Sequence, residues 1–306
     1  MTDQRDWKLD LVTIKGAFVD AEGFPRPQWE VIGREIAIQM ELVYGGVARQ
    51  WLELLRDSLD ENYHITETTD FLFLSACTES VATKRAEWCE SSLAAILDTL
   101  GAAVECSGQG KHVVMQFATQ KSYYDYICYF DSDGEYPTTG GMYIPEGHGH
   151  IVLPPIWDEC VQTTIIHEMT HLCLRHLEYL PAWLNEGLAK MMEQLVWRAS
   201  PPDGLTDREY WVKSSLQGFW SGESFYDVDG QGPSYPLALY ITQWIFRKHR
   251  QQFIDFVIDA DWRDAGQGSL QHYCGVTLGQ VVEQILGDGN WDPTLPITME
   301  TESESV

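Results

Sequence analysis

One five-residue segment contains the residues that could carry out metal chemistry: His167-Glu168-Met169-Thr170-His171, an HExxH pattern. On an α-helix, residues four apart lie on one face, so both imidazoles can reach the same Zn²⁺ ion. Glu168 flanks the two ligands and can act as a general base toward a water molecule on the metal. In a chain with 9 histidines, about 0.02 chance matches are expected. The pattern therefore predicts a zinc-dependent hydrolytic site.

A catalytic zinc site has three protein ligands and one open position, so a third ligand must come from outside the motif. His176 lies on the same predicted helix, but its spacing places it on another face. Cys128 lacks the surrounding motif that some zinc hydrolases place around a cysteine ligand. Glu186 is the best candidate, because a turn after the first helix would fold the next helix back beside it. His167, His171 and Glu186 would then form a His₂Glu ligand set.

The HEMTH segment and the later PAWLNEGLA segment together resemble the gluzincin metallopeptidases, specifically the peptidase MA-like group with its HExxH…WLxEGLA signature. Outside these two motifs the resemblance is one of pattern, over about residues 63–287. It implies a zincin-like fold and one Zn²⁺ per chain. By the same resemblance, His167, His171 and Glu186 are the zinc ligands and Glu168 is the catalytic base.

The resemblance also suggests a residue that stabilises the oxyanion of the tetrahedral intermediate. Tyr235 stands at the start of a predicted helix after a long loop, where related enzymes often place such a tyrosine. Tyr226 and Tyr240 are the alternatives. His148 and His150 could form a second metal site, but a hairpin at the edge of the cleft is the favoured interpretation. A strand at such an edge can pair with an extended peptide.

The sequence departs from the thermolysin-like members of this group in two respects. The segment between the second histidine and Glu186 is shorter, so the connection must be tight. Four residues after Glu186, where those enzymes have an acidic residue that orients a zinc-bound imidazole, this chain has Lys190. That orientation must come from elsewhere, for example from Glu193 or a backbone carbonyl.

The elements around these motifs predict an α+β fold, with a small N-terminal mixed sheet and the active-site helix followed by a helical C-terminal lobe. The strands are predicted at residues 71–75, 113–118, 140–144 and 150–153, and the main helices at 80–100, 159–178, 182–197, 236–249, 252–258 and 278–286. The loop at 199–234 is predicted to hold at most one short helix. The catalytic cleft is expected between residues 111–197 and the helical lobe at 205–287.

A chain of 306 residues has room for two domains or one large one. Residues 1–61 are predicted to form a helical N-terminal extension, in which Gly45-Gly46 separates two helices. Residues 62–287 are predicted to form the metallopeptidase domain. The remaining residues, 288–306, are predicted to be a flexible acidic tail.

The composition excludes several kinds of partner. Twenty Lys and Arg residues against 46 Asp and Glu residues give a net charge of −26, which repels nucleic acid and anionic membranes. There is no apolar run long enough to span a membrane, and the first ten residues are too polar for a signal peptide. The seven scattered cysteines predict reduced thiols inside a cell, with Cys89, Cys160 and Cys173 as small core residues.

The predicted function is zinc-dependent hydrolysis of peptide bonds in a cytoplasmic protein, with a zinc-bound water activated by Glu168 and a peptide or protein as the substrate. The alternative is a catalytically impaired zinc-binding pseudopeptidase or regulatory module of the same fold, in which Lys190 and the short connection have reduced turnover. A third possibility is a helical interaction protein with a fortuitous HExxH segment. Metal content separates this third possibility from the first two.

Overall fold

The computed structural model describes residues 17–21, 24–28, 31–32, 40–59, 62–106, 110–128, 140–199, 208–225 and 232–294. The strands are Phe18–Ala21 (β1), Phe24–Pro27 (β2), His64–Glu67 (β3), Phe71–Ser75 (β4), His112–Gln116 (β5), Met142–Ile144 (β6) and His150–Leu153 (β7). The α-helices are Met40–Ser58 (α1), Glu79–Leu100 (α2), Gln120–Ile127 (α3), Asp158–Leu174 (α4), Ala182–Trp197 (α5), Arg208–Ser214 (α6), Gln217–Ser221 (α7), Ser234–Lys248 (α8), Phe253–Ile258 (α9), Gln267–Cys274 (α10) and Leu278–Leu286 (α11).

The predicted α+β class is confirmed, as a small mixed sheet and a helical lobe. The described residues form two compact units. The first unit comes from Met1–Leu93 and Cys106–Leu172, and the second from Ala94–Glu105 and Cys173–Val306. All the strands that the structure describes belong to the first unit.

The five-stranded sheet has the order β3-β4-β5-β7-β6. Its three inner strands run parallel, with Phe71 opposite His112 and Val113 opposite His150, whereas the two outer strands are antiparallel to their neighbours. Strand β4 is buried at every residue, as expected of a parallel strand that is covered on both faces. The apolar run predicted at 71–75 is therefore a central strand of this sheet.

One face of the sheet shares its core with the N-terminal elements. Helix α1 contributes Trp51, Leu52 and Leu55 to this core, and the β1–β2 hairpin contributes Phe24. The indole of Trp51 also donates a hydrogen bond of 3.1 Å to the carbonyl of Pro25. The described part of the predicted N-terminal extension is thus packed into the same core as the sheet.

The predicted break at Gly45-Gly46 is wrong, because α1 continues through both glycines. A glycine inside a helix costs about 1 kcal/mol relative to alanine. The buried face that begins at Val47 and Ala48 and continues to Leu55 offsets that cost. The β1–β2 hairpin was not anticipated either, since its second strand, FPRP, has two prolines that normally argue against a strand.

In the second unit, Trp183 of α5 is the centre of an aromatic cluster. Its ring stacks on Phe219 and meets Trp220 edge to face, and its indole N–H donates to the carbonyl of Ala265 at 2.9 Å. Phe219 and Trp220 lie on α7, one of two short helices in the segment predicted to hold at most one. Helix α10 was also not predicted, because its sequence, QGSLQHYC, has little apolar periodicity.

The tail begins later than predicted. Trp291 is buried, its carbonyl accepts a hydrogen bond of 3.0 Å from the indole of Trp220, and the Asp292 carboxylate accepts one of 2.8 Å from the N–H of Gly279. Residues 288–294 are therefore packed within the second unit, and the rest of the predicted tail lies outside the described residues. Among the helices that the structure describes, none combines the length and apolarity needed to cross a membrane.

The prediction of seven reduced cysteines is wrong for two of them. Cys106 and Cys173 are disulfide-bonded, whereas the other five cysteines are free. The backbone explains their approach, since the N–H of Glu105 donates to the carbonyl of Cys173 at 3.0 Å. Cys89 is buried as predicted, but Cys160 is exposed.

Candidate metal centre

Helix α4 is a core helix with one polar face. Ile165, Ile166 and Met169 are fully buried, as predicted. His167 and His171 lie next to each other on the half-exposed side, with ring centroids 4.8 Å apart and ring planes at 82°. The spacing of four residues therefore brings both imidazoles to one place, as the sequence indicated.

Glu168 is held in a fixed position by the edge of the sheet. Only 8% of the residue is exposed, and its Oε2 accepts a hydrogen bond of 2.8 Å from the backbone N–H of Tyr143 on β6. A carboxylate buried to this extent needs such a donor, because loss of hydration is otherwise not compensated. The contact also orients the carboxylate, which a general base requires.

Strand β6 can approach α4 because Gly141 has no side chain. A β-carbon at Gly141 would lie 2.6 Å from Cγ2 of Thr164 on α4 and 2.9 Å from Cδ2 of Leu153. Both distances are shorter than atoms tolerate. Gly141 and the N–H of Tyr143 were not predicted from the sequence, and the signal that could have revealed them is the GG pair immediately before a short strand.

Glu186 is positioned by its neighbours on α5. Three residues earlier, Trp183 fixes the start of the helix through the aromatic cluster. The next residue, Gly187, allows close packing against α8: a β-carbon there would lie 2.1 Å from Oγ1 of Thr242 and 2.7 Å from the carbonyl oxygen of Ala238. Close packing therefore explains why position 187 is a glycine, since any side chain there would push α5 and α8 apart.

The three predicted ligands converge. One ligand atom from each of His167, His171 and Glu186 lies within 4.8 Å of the others, and all three side chains are half-exposed. Ligand atoms around a tetrahedral zinc ion are about 3.3–3.5 Å apart, given bond lengths of about 2.0–2.2 Å. Two imidazoles and one carboxylate fit a divalent transition metal, and zinc is the usual ion for such a set.

The rejected alternatives stay outside this cluster. His176 is exposed and lies beyond the end of α4, and Cys128 is exposed after α3. Within the described segments, the His₂Glu set is the only group of three or more His, Cys, Asp or Glu side chains placed to hold a metal ion.

The GHGH segment is a buried hydrogen-bond network. In His150, Nδ1 lies 3.1 Å from the carbonyl of His148 and Nε2 lies 2.8 Å from the Tyr126 hydroxyl. Burial lowers the pKa of His150 to about 3, so this imidazole is neutral. Nε2 of His148 lies 3.1 Å from the carbonyl of Lys111. A structural role for both histidines follows. The predicted hairpin is present as β6 and β7, and its place at the edge of a cleft stays a prediction.

The residue proposed to replace a missing acidic partner is already engaged. The Glu193 carboxylate lies 2.9 Å from the ammonium group of Lys190, one turn earlier on α5. The same ammonium group lies 5.9 Å from the ring centroid of Tyr235. Lys190 therefore partly neutralises Glu193, which weakens Glu193 as a partner for an imidazole.

Tyr235 is the second residue of α8, consistent with its predicted position at the start of a helix. Its hydroxyl donates to the carbonyl of Phe225 at 3.3 Å, and the two rings meet edge to face at 5.3 Å. Tyr240 is partly exposed on the same helix, and desolvation raises its pKa. Tyr226 lies outside the described residues. The catalytic role of Tyr235 stays a prediction.

Gly187→Ala is expected to lower both stability and metal affinity. The new methyl group must displace Thr242 or the α8 backbone, and overpacking of this kind costs about 1–3 kcal/mol. Denaturant unfolding and titration of the apo protein with Zn²⁺ measure the two effects. The matched control is Gly218→Ala, where the β-carbon meets only a Glu223 oxygen at 3.9 Å. Equal behaviour of the two variants would contradict this account of α5.

Gly141→Ala is expected to displace β6 and to weaken the hydrogen bond that orients Glu168. The neighbouring Gly140→Ala is the control, because its β-carbon comes no closer than 3.3 Å to a Thr164 hydroxyl. Hydrogen exchange of the Tyr143 amide reports the contact directly. Adding Thr164→Ser removes the methyl group that makes the closest clash and should restore part of the protection. Unchanged exchange in Gly141→Ala would rule out this steric role.

No protein-family model matches the chain, and no curated protein is significantly similar to it. The resemblance to gluzincins thus continues to depend on the two short motifs. The geometry adds an independent observation, because the three residues that those motifs mark as ligands lie together in space.

Proposed function

We propose that this chain is a zinc-dependent peptidase of zincin-like fold in which Glu168 is the general base. The observation that carries the proposal is the convergence of His167, His171 and Glu186 beside a buried, oriented Glu168. A zinc ion bound by these three side chains would supply Lewis-acid polarisation of a water molecule and of the scissile carbonyl.

The chain itself supplies the proton transfer. The Glu168 carboxylate accepts a proton from the attacking water and then delivers it to the leaving amine. Because the N–H of Tyr143 fixes Oε2, little reorientation is needed between these two steps. General base catalysis by a positioned carboxylate contributes typically about 10²–10⁴ in rate.

The sheet suggests how a peptide or protein substrate is aligned. Strand β6 is the last strand in the sheet order, and its residue Tyr143 interacts directly with the catalytic base. Among the described strands none pairs with the outer edge of β6, and an extended peptide that adds to such an edge gains main-chain hydrogen bonds that do not depend on its sequence. We therefore include broad recognition of extended polypeptide in the proposal. The cytoplasmic location that the sequence favours loses part of its support, because Cys106 and Cys173 are disulfide-bonded and disulfides are rare in the cytosol.

The pseudopeptidase alternative has one observation in its favour. Lys190 occupies the place of an orienting acid in thermolysin-like enzymes, and it pairs with Glu193. Loss of an outer-shell partner typically costs about 10–100-fold in metal affinity or activity. Hydrolysis of an unstructured protein such as casein by the zinc-loaded chain distinguishes the two functions.

The metal-site variants are expected to separate binding from turnover. Freshly purified protein should contain about one equivalent of zinc, because three ligands suffice for a tight site. His171→Ala should lose the metal, whereas Glu168→Gln should keep it and lose hydrolysis. Elemental analysis and a casein assay measure both properties.

Two exposed residues provide controls for these variants. His176→Ala matches the loss of an imidazole, and Glu178→Gln matches the loss of a carboxylate. Both residues are exposed, so both variants should keep the zinc content and hydrolysis of the unmodified protein. Loss of zinc in Glu168→Gln would show that the roles of base and ligand are misassigned. Full zinc content without hydrolysis in the unmodified chain would favour the pseudopeptidase.

Tyr235→Phe tests the oxyanion role, because it removes only the hydroxyl. If the hydroxyl turns from Phe225 toward the substrate during turnover, kcat should fall about 10²–10³-fold with zinc content unchanged. If it serves only the Phe225 contact, kcat should be nearly normal, with about 1 kcal/mol lost from stability. Measurements of kcat and of the melting temperature on this variant decide between the two roles.

A further inference from the structure

A cavity of about 370 Å³ lies in the first unit, at the carboxyl ends of the parallel strands β4, β5 and β7. Its wall is made of residues at or just after the end of each strand: Ala76 and Cys77 after β4, Gln116, Phe117 and Ala118 around the end of β5, and Pro155, Ile156 and Trp157 after β7, together with Arg85 from α2. In open sheets this edge is where ligands bind, because the connections diverge there. None of these residues belongs to the metal centre.

One of the residues that line the cavity is a buried cation. Arg85 is only 6% exposed. Its Nη1 donates to Oε1 of Gln116 and lies 3.2 Å from Sγ of Cys77, and its Nη2 donates to the Asp158 carboxylate. Its Nε is buried without a hydrogen-bond partner. A guanidinium presents five N–H donors in a fork that matches a carboxylate, so this one has unused binding capacity.

Two long helices begin beside this cation. Helix α2 starts two residues after Cys77, and helix α4 starts immediately after Trp157. Each helix N-terminus carries about half a positive charge and a set of N–H groups that lack partners within the helix. Together with Arg85, they bring positive charge to this edge of the sheet, which Glu79 and Asp158 in the first turns of the two helices partly offset.

The walls favour an anion that has an apolar part. Phe117, Pro155 and Ile156 present apolar surface, and Trp157 stands at the rim with 85% of its area exposed. An exposed tryptophan that borders a cavity leaves a large apolar surface for a ligand to cover. The volume suits a molecule of roughly ten heavy atoms, at the small end of ordinary ligand sites.

Asp158 now occupies the position that such an anion would take. Its side chain is 57% exposed, so it can leave the guanidinium for water at little cost. Arg85 holds the pKa of the Asp158 carboxyl below its ordinary range, which means that the two are charged partners at neutral pH. The Asp158 carboxylate therefore makes the same contact with Arg85 that a ligand carboxylate would make, and the two compete for it.

We propose that this cavity binds a small organic carboxylate, whose charged group pairs with Arg85 in place of Asp158 and whose apolar body packs against Phe117, Ile156 and Trp157. The site is independent of the metal centre and of the peptidase proposal.

The Cys77 thiol in the wall allows a direct test. Iodoacetate carries a carboxylate and iodoacetamide is its neutral analogue, and both alkylate a thiolate with release of iodide. Rates at each cysteine are followed by peptide mass spectrometry. The iodoacetate-to-iodoacetamide rate ratio at Cys77 should exceed the ratio at the exposed Cys128 and Cys160 by at least about fivefold, because attraction by one cation at short range is worth roughly 1 kcal/mol. Equal ratios at the three thiols would overturn the proposal.

Phenylacetate is the binding probe, with phenylacetamide as its uncharged match and inorganic phosphate as an anion without an apolar body. Phenylacetate should slow alkylation of Cys77 by iodoacetamide in a saturable manner, and the other two should not. Equal protection by phenylacetate and phenylacetamide would mean that Arg85 takes no part in binding.

Asp158→Asn is the deciding variant, because removal of the competitor should lower the phenylacetate concentration for half-protection about three- to tenfold. The exposed position of Asp158, and the good helix-start propensity of asparagine, should leave folding intact. Arg85→Gln should abolish protection, and if that variant does not fold, Asp158→Asn decides alone. Unchanged or weakened protection in Asp158→Asn would refute the exchange of carboxylates at Arg85.

Discussion

The candidate site depends on one helix, α4, which must be a core element and a metal-binding surface at the same time. Its apolar side chains are buried on most of its circumference, so the carboxylate of Glu168 is also drawn out of water. A buried, unpaired polar group costs about 1–3 kcal/mol and a charge costs more. The N–H of Tyr143 supplies the missing partner, and Gly141 makes room for that approach. The buried carboxylate of α4 thus needs a hydrogen-bond donor, and this need explains why the edge strand β6 lies close to that helix.

The elements that carry the site could be predicted because each has a strong local pattern. Helices α5 and α11 have the predicted ends, and α4 ends at Leu174, four residues early. The HExxH spacing fixes two ligands through helical geometry alone. Glu186 is different, since nothing in its own helix points it toward His167. Its assignment came from an expected turn that folds the second helix back beside the first and from resemblance to a signature, and the proximity of the three side chains is the physical observation that the sequence could not provide.

Contacts between positions that are far apart in the chain could not be predicted from the sequence. The disulfide-bonded Cys106 and Cys173 have no motif, and a backbone N–H such as that of Tyr143 has no residue signature at all. Gly187 is visible in the sequence, but its meaning depends on the α8 backbone that it faces. Local propensity also failed where tertiary packing overrode it, as at Gly45-Gly46, where burial of the following turns keeps the helix intact.

The lysine at position 190 bears on how the proposed site would work. An acidic partner on a ligating imidazole raises the basicity of the ligand and tightens metal binding, but it also reduces the Lewis acidity of the metal. Here the nearest acidic candidate on α5, Glu193, is paired with Lys190, so less negative charge is available to the ligands. A metal ion held by the proposed ligands would for that reason be bound less tightly, but it would also keep more of its Lewis acidity. Under the proposed function, Lys190 would thus lower metal affinity without by itself marking the chain as inactive.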